Sequence, residues 1–251
     1  MGYRFPRRKS AFEELCRAIY WATPIPHTLQ REPDIALLCN WCCPGSCAID
    51  VGASVGLYTK ALSKKVGIKG QVIAIEPSRS ASRLLSRVVT LQQLTNVRLE
   101  RFAAAEHQAK KFIITPVNLA GYPQDPLSYV SDAPEVGSES FAINTLSLDE
   151  YCARNKIENV SVVKLDIEGY ELAALKGARR LIENNRPVLL VEITTQHTAR
   201  YDYCPEVIWA ELESMAYVPH ISDNGTGRRQ VRQYDGAHTN YLWIPSEKCL
   251  P

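Results

Sequence analysis

The chain has 251 residues, with 29 basic and 27 acidic side chains and a formal net charge of +2. Apolar residues make up 45% and charged residues 22%. This is ordinary globular usage, which excludes a disordered chain, a collagen-like chain and a strongly basic nucleic-acid coat. The length suits one large α/β domain or two small ones.

No apolar run approaches the ~20 residues that span a bilayer. Arg4, Arg7, Arg8 and Lys9 could open a signal peptide, but Glu13, Glu14 and Arg17 interrupt the apolar stretch behind them. Pro6 argues against myristoylation of Gly2. A soluble, cytoplasmic protein is expected.

Residues 10–22 read as an amphipathic helix with Phe12, Leu15, Cys16 and Ile19 on one face. A connector with Pro24, Pro26 and Pro33 follows. Four of the eight cysteines, Cys39, Cys42, Cys43 and Cys47, fall within nine residues. Such thiols can converge on a metal. The second CxxC of a usual zinc site is missing, so packing as small apolar side chains is the expectation.

Strand-like and helix-like segments then alternate. Strands are expected at Cys47–Val51, Gln71–Glu76, Val97–Phe102, Lys111–Thr115, Val160–Asp166, Val188–Ile193, Tyr217–Ile221 and Tyr241–Ile244, with Ala142–Leu146 extended. Helices are expected at Leu57–Val66, Ala81–Leu94, Glu171–Glu183 and Pro205–Met215, and one capped by Ser147 with Glu150 three residues on. Pro116 to Ser140 shows no periodicity and reads as a long functional or disordered loop. This alternation predicts a parallel sheet covered on both faces, with ligands bound at the strands' carboxyl ends.

Four motifs fall at those ends. In Ile49-Asp50-Val51-Gly52-Ala53-Ser54-Val55-Gly56, the glycines permit a tight turn and close approach of a ligand. The spacing is not the GxGxxG of a dinucleotide site, and no P-loop lysine follows. An acid before the first glycine would repel a pyrophosphate, yet suits the ammonium end of S-adenosylmethionine. In Ala74-Ile75-Glu76-Pro77, Glu76 ends the next strand, where an acid can accept both hydroxyls of a ribose. In Lys164-Leu165-Asp166-Ile167-Glu168-Gly169-Tyr170-Glu171, Lys164, Asp166 and Glu168 would share a face if the strand continued. Glu171, and with it Glu168, reads more simply as a helix cap, which leaves Asp166 as the stronger site candidate. Last, Glu192 ends a strand and His197 follows in a loop, where an imidazole can move protons near neutrality. Asp166 and Glu192 are hard oxygen ligands that could share a cation. With no third ligand evident, no metal site is expected.

These residues resemble the FkbM family of S-adenosylmethionine-dependent methyltransferases, from about Cys47 to Ile244. The shared stretches are IDVGASVGLYT, AIEP, INTLSLDEY, VVKLDIEGYELAALKGA, RPVLLVEI and NYLWIP. The resemblance implies a Rossmann-like class I methyltransferase fold, with a mostly parallel seven-stranded sheet and helices on both faces. It implies a domain over 41–251 behind an N-terminal helical extension over 1–40. It also implies O-methylation of a hydroxyl on a sugar, glycolipid or polyketide-type natural product. S-adenosyl-L-methionine would be bound by Asp50, Gly52, Ala53, Ser54, Gly56, Glu76, Pro77 and Ala104. Asp166, Glu192 or His197 would take the hydroxyl proton. Related enzymes place an acid after the third strand to bind adenine. Here Phe102-Ala103-Ala104-Ala105 leaves that to backbone and packing.

Two rivals use similar sheets. An NAD or nucleotide-sugar oxidoreductase would want GxGxxG and a Tyr-x-x-x-Lys pair, both absent. A catalytically degenerate binding module would not need the intact glycine turn and Glu76. No Asn-Pro-Pro-Tyr amine-methylating motif is present, and the near-zero charge gives no support for a nucleic-acid partner. Arg228, Arg229 and Arg232 read as a solvated loop. The expected partner is a small-molecule or glycan acceptor, and a homo-oligomer stays open.

Overall fold

The structure, a computed structural model, describes residues 11–23, 33–118, 124–223 and 227–249. The basic N-terminus with Gly2 and Pro6, Pro24, Pro26 and residues 119–123 of the long insertion lie outside the described residues. Among the described residues no helix is long and apolar enough to cross a membrane.

The main sheet has eight strands: β1 (Cys47–Val51), β2 (Gln71–Ile75), β3 (Val97–Glu100), β8 (Val160–Leu165), β9 (Val188–Glu192), β10 (Tyr217–Asp223), β11 (Gly227–Gln230) and β12 (Asn240–Pro245). Their order is β11-β10-β12-β9-β8-β1-β2-β3. The strands from β9 to β3 are parallel, while β12 runs antiparallel between β9 and β10. The eighth strand corrects the expected seven. β11 forms a hairpin with β10, closed by main-chain pairing such as Ile221 with Arg229, and no apolar pattern in its sequence marks it.

The parallel strands β1, β2, β8 and β9 are buried on both faces, while the edge strand β3 is partly exposed. β1, with Cys47, Ala48, Ile49 and Val51, is at most 2% exposed. On one face lie α2 (Pro33–Cys39), α3 (Leu57–Val66) and the Ile35, Leu38, Leu62 and Val66 core. On the other lie α5 (Leu148–Asn155), α6 (Glu171–Lys176), α7 (Arg179–Asn185) and α9 (Pro205–Ser214), with Leu148, Leu175, Ile208 and Trp209. α2 begins at Pro33 inside what reads as a connector, because a proline with its fixed φ suits the first turn of a helix. The helix expected over Glu171–Glu183 is two. The chain breaks at Gly177, where an added Cβ would lie 1.9 Å from the Ala105 carbonyl. Asp149 caps the second helix by accepting from Arg180 N and Leu181 N.

Two elements differ more. Helix α1 (Ala11–Trp21) forms as expected but turns the other way: Leu15 and Ile19 are about half exposed. Ala18 is fully buried, and Glu14 pairs with Arg83 and Arg87 of α4 (Arg79–Leu91). A small residue allows close approach and the ion pairs fix the face, so charge overrode the apolar stripe. The insertion is also not a structureless loop. β6 (Tyr129–Ser131) lies within it, and β4 (Ala103–Ala104), β5 (Ala109–Thr115), β6 and β7 (Glu139–Leu146) form a second sheet in the order β4-β7-β5-β6.

Three of the four clustered cysteines pack as expected of small apolar groups, and Cys43 does not. Cys39, Cys42 and Cys47 are buried and Cys43 is exposed. Burial pushes the Cys39 thiol up to about 11 and the Cys47 thiol up to about 12, which keeps both protonated.

Candidate functional site

The strand order reverses between β1 and β8, and a cavity of about 310 Å³ opens at the carboxyl ends there. Gly52, Ala53, Ser54, Glu76, Pro77, Ala104 and Asp166 line it, as do Lys164 and Glu168. Asp50, Gly56, Glu192 and His197 stand behind that lining.

The β1 turn is locked by its own main chain. Gly52 N and Ala53 N both donate to Ile75 O, and Ser54 N donates to Glu76 Oε2 at 2.8 Å. Gly52 has φ +78°, and a Cβ there would lie 1.8 Å from the Asp166 carbonyl, so only glycine lets the two strand ends meet. Glu76 Oε1 accepts from Ser78 N at 2.8 Å. Two carboxylate oxygens offer about four acceptor sites. Phe102, Ala103 and Ala104 make an apolar wall nearby.

Asp50 is not at the cavity. It is fully buried, accepts from Thr59 Oγ1 at 2.5 Å and faces its cross-strand neighbour Lys164 at 3.8 Å. As cross-strand neighbours the two side chains share one face of the sheet. Burial raises its pKa, against the pull of Lys164. Lys164 is itself buried, 3.0 Å from Asp166 and 4.7 Å from the Tyr58 ring centroid. Burial lowers its pKa, but Asp166 and Asp50 outweigh that and leave it raised.

Beyond Leu165 the strand ends, yet Lys164, Asp166 and Glu168 all reach the cavity. Glu168 has φ +59°, a left-handed conformation rare for a side chain of this size. Neither Glu168 nor Glu171 caps the helix that follows, whose N-cap Tyr170 has no side-chain cap bond; Glu171 Oε1 instead accepts from Ile167 N and Gly169 N of the loop before it. Burial pushes the Glu171 carboxyl up to about 8.

His197 lies on the one-turn helix α8 (Thr195–Thr198), not in an open loop, and Thr194 Oγ1 caps that turn. Its two nitrogens face different acids: Nδ1 is 3.1 Å from Glu192 Oε2 and Nε2 is 3.2 Å from Glu168 Oε2. Glu192, first through hydrogen bonding, raises the His197 pKa. Burial raises Glu192 and pushes Glu168 up to about 7. Glu168, Glu192 and His197 also offer ligand atoms within 4.8 Å of one another. The third ligand not evident in the sequence is thus present as spacing, with Glu168 in the place expected of Asp166. No cysteine belongs to this group.

A roof covers the site. Ile113 and Val130 of the second sheet, Ser128 just before β6, Tyr170, and Arg17 and Trp21 of α1 complete the cavity wall. Tyr201 OH donates to Val130 O at 2.8 Å and accepts from Val130 N at 3.2 Å, and the Arg200 guanidinium sits 4.0 Å over the Tyr129 ring. None of these roof residues carries a local motif. The lack of periodicity and the length of the insertion were the available signals.

Residues 50–219 match the family model described as the methyltransferase FkbM domain. Among curated proteins none matches the chain. Among solved structures, the methyltransferase FkbM from Methylobacillus flagellatus is 20% identical with a TM-score of 0.51, over 80% of this chain and 44% of that one. This chain therefore spans less than half of that protein's length. A SAM-dependent methyltransferase from Aquifex aeolicus is 17% identical with a TM-score of 0.47, over 91% of this chain and 97% of that one. A SAM-dependent O-methyltransferase from Thermotoga maritima is 14% identical with a TM-score of 0.45, over 84% of this chain and 63% of that one. With more than half of its length matched by the family model over the same turn, strand ends and cavity, the chain belongs to the FkbM family of S-adenosylmethionine-dependent methyltransferases.

Proposed function

We propose that the chain is an O-methyltransferase acting on a hydroxyl of a sugar, glycolipid or polyketide-type natural product. The observation that supports this is one cavity with unlike ends: a glycine turn and Glu76 at one, and Asp166 and Glu168 at the other. The residues present fit the cofactor. Gly52, Ala53 and Ser54 would shape the methionine pocket, Glu76 would accept the ribose hydroxyls, and Pro77 and Ala104 would flank the adenine. Gly56, at φ +86°, supports the turn from behind the lining. Asp50 would act on the cofactor's ammonium only at a distance, through Lys164 and Asp166.

When bound, the cofactor supplies an electrophilic methyl carbon on a sulfonium. The protein aligns the acceptor, a contribution of about 7–11 kcal/mol in favourable cases. It also removes the hydroxyl proton, which adds typically 10²–10⁴-fold. Asp166, Glu192 and His197, with Glu168 beside them at this end of the cavity, are the groups that would take it. Arg17, Trp21 and the β5–β6 roof would select the acceptor. A cytoplasmic setting belongs to the same reading, since the eight cysteines are free thiols suited to a reducing compartment.

A mass-resolved screen with methyl-labelled S-adenosylmethionine against methyl glycosides, glycolipids and polyketide alcohols tests this. The expected result is label on oxygen of one acceptor class. Label on nitrogen, or binding of NAD in calorimetry, would overturn the reading.

A further inference from the structure

Resting on the O-methyltransferase reading above, we propose that Glu168 is the base that takes the acceptor's hydroxyl proton, and that His197, fixed by Glu192, positions it. Of the three groups, Glu168 lines the cavity and the other two stand behind it. Asp166 lines the cavity too, but its carboxylate is held 3.0 Å from the Lys164 ammonium.

The main chain at Glu168 is held in a costly shape from several sides. A left-handed non-glycine residue costs about 1–3 kcal/mol and persists only where its surroundings fix it. Here Arg200 Nη1 donates to Glu168 O at 2.6 Å, and Tyr203 OH donates to Gly169 O at 2.5 Å. Glu171 accepts from the amides on both sides. Gly169, at φ +101°, passes so close to α8 that a Cβ would lie 2.2 Å from His197 O. The effect is to turn the Glu168 side chain into the cavity while keeping it against the imidazole.

The imidazole bridges two carboxylates through opposite nitrogens. An imidazolium donating through both is the state this arrangement favours, with Nδ1–H to Glu192 and Nε2–H to Glu168. With an acid within hydrogen-bond distance of each ring nitrogen, these contacts describe a hydrogen-bonded relay. Every charged group facing Glu168 bears on its basicity: His197 and Arg200 lower its pKa, while burial, Glu192 and Asp166 raise it. For His197 the facing acids are Glu192, Glu168 and Glu171. The result is a carboxylate more basic than usual, as a general base should be.

The step balances simply. The acceptor oxygen passes its proton to a Glu168 carboxylate oxygen and forms the bond to the methyl carbon, and the carbon–sulfur electron pair stays on sulfur. The Glu168 carboxyl then releases the proton to water.

The test joins nitrogen NMR of His197, which needs no acceptor, to turnover of the acceptor found in the screen. In the wild type both ring nitrogens of His197 are expected to stay protonated at pH 7, and Glu168→Gln and Glu192→Gln should each lower its pKa by about one unit or more. Glu168→Gln is expected to lower kcat at least ~100-fold with S-adenosylmethionine affinity unchanged, and Glu168→Asp to restore part of it. His197→Asn should move the acid limb of the kcat profile to higher pH, because the imidazolium no longer lowers the Glu168 pKa. A neutral His197 of ordinary pKa, or Glu168→Gln within about threefold of wild-type kcat, overturns the proposal. So does binding of Mg²⁺, Mn²⁺ or Zn²⁺ chloride alone that is lost in Glu168→Gln, with turnover lost to a chelator. If no hydroxyl acceptor takes label, the functional reading fails, while the NMR arm still decides the relay.

Discussion

At the β1–β2 end of the cavity the main chain sets the shape, whereas at the β8–β9 end ionisable side chains do. Gly52, Ala53 and Ser54 are tied by their amides to Ile75 O and Glu76, and a single carboxylate suffices there. At the other end Lys164, Asp166, Glu168, Glu171, Glu192 and His197 crowd together, and several of their proton affinities are shifted by burial and by one another. On the proposed reading, a cofactor of fixed shape would be recognised by a turn that cannot move, and a proton would be handled by groups whose charge can change. The first end should therefore fail through sterics, and the second through charge and pH.

The largest expected effect is on the charged end. Lys164→Met would leave Asp50 buried with no cationic partner and should destabilise the fold by about 3–5 kcal/mol in chemical denaturation. A loss under about 1 kcal/mol would show that Asp50 is neutral in the native protein and that the comparison overstates charge. At the other end, Gly52→Val drives a Cβ into the Asp166 carbonyl. It should abolish S-adenosylmethionine binding in calorimetry, while Gly45→Ala, where nothing lies within 4 Å, should leave it intact.

A subtler effect concerns pH. Glu171 has a folded pKa of about 8, well above the ordinary glutamate value. Its contribution to stability is complete below the unfolded pKa and is lost as pH rises through about 8. Glu171→Gln keeps an acceptor for Ile167 N and Gly169 N. It should flatten the fall in Tm between about pH 5 and about pH 8, and an unchanged slope would remove Glu171 from the account. The smallest effect is at the roof. Tyr201→Phe loses the hydroxyl that ties both Val130 N and Val130 O, a cost of about 1–2 kcal/mol. It should raise the acceptor KM more than it lowers kcat.

The same contrast explains what could be read from the sequence. The glycine turn and Glu76 are local patterns on predicted strands, and the structure puts them on the cavity wall. Asp50 belongs to that pattern too, but nothing in one sequence tells that it sits beside Lys164 across the register. Glu168 was obscured by Glu171, because two acids before a helix look alike until one is seen holding the amides. The α1 period predicts a helix and not the face it buries, which the Glu14 pairs with Arg83 and Arg87 decide. β6 and β11 are too short to show an apolar period of their own, so only their pairing with β5 and β10 defines them.

Calorimetric titration of S-adenosylmethionine into the wild type and Glu76→Ala tests the central claim most directly. The account predicts one saturable site in the wild type. It predicts affinity lower by roughly 10–100-fold in Glu76→Ala, the worth of hydrogen bonds to a charged group, with the fold retained by circular dichroism. Equal affinity in the two proteins, or no binding to the wild type, would contradict it.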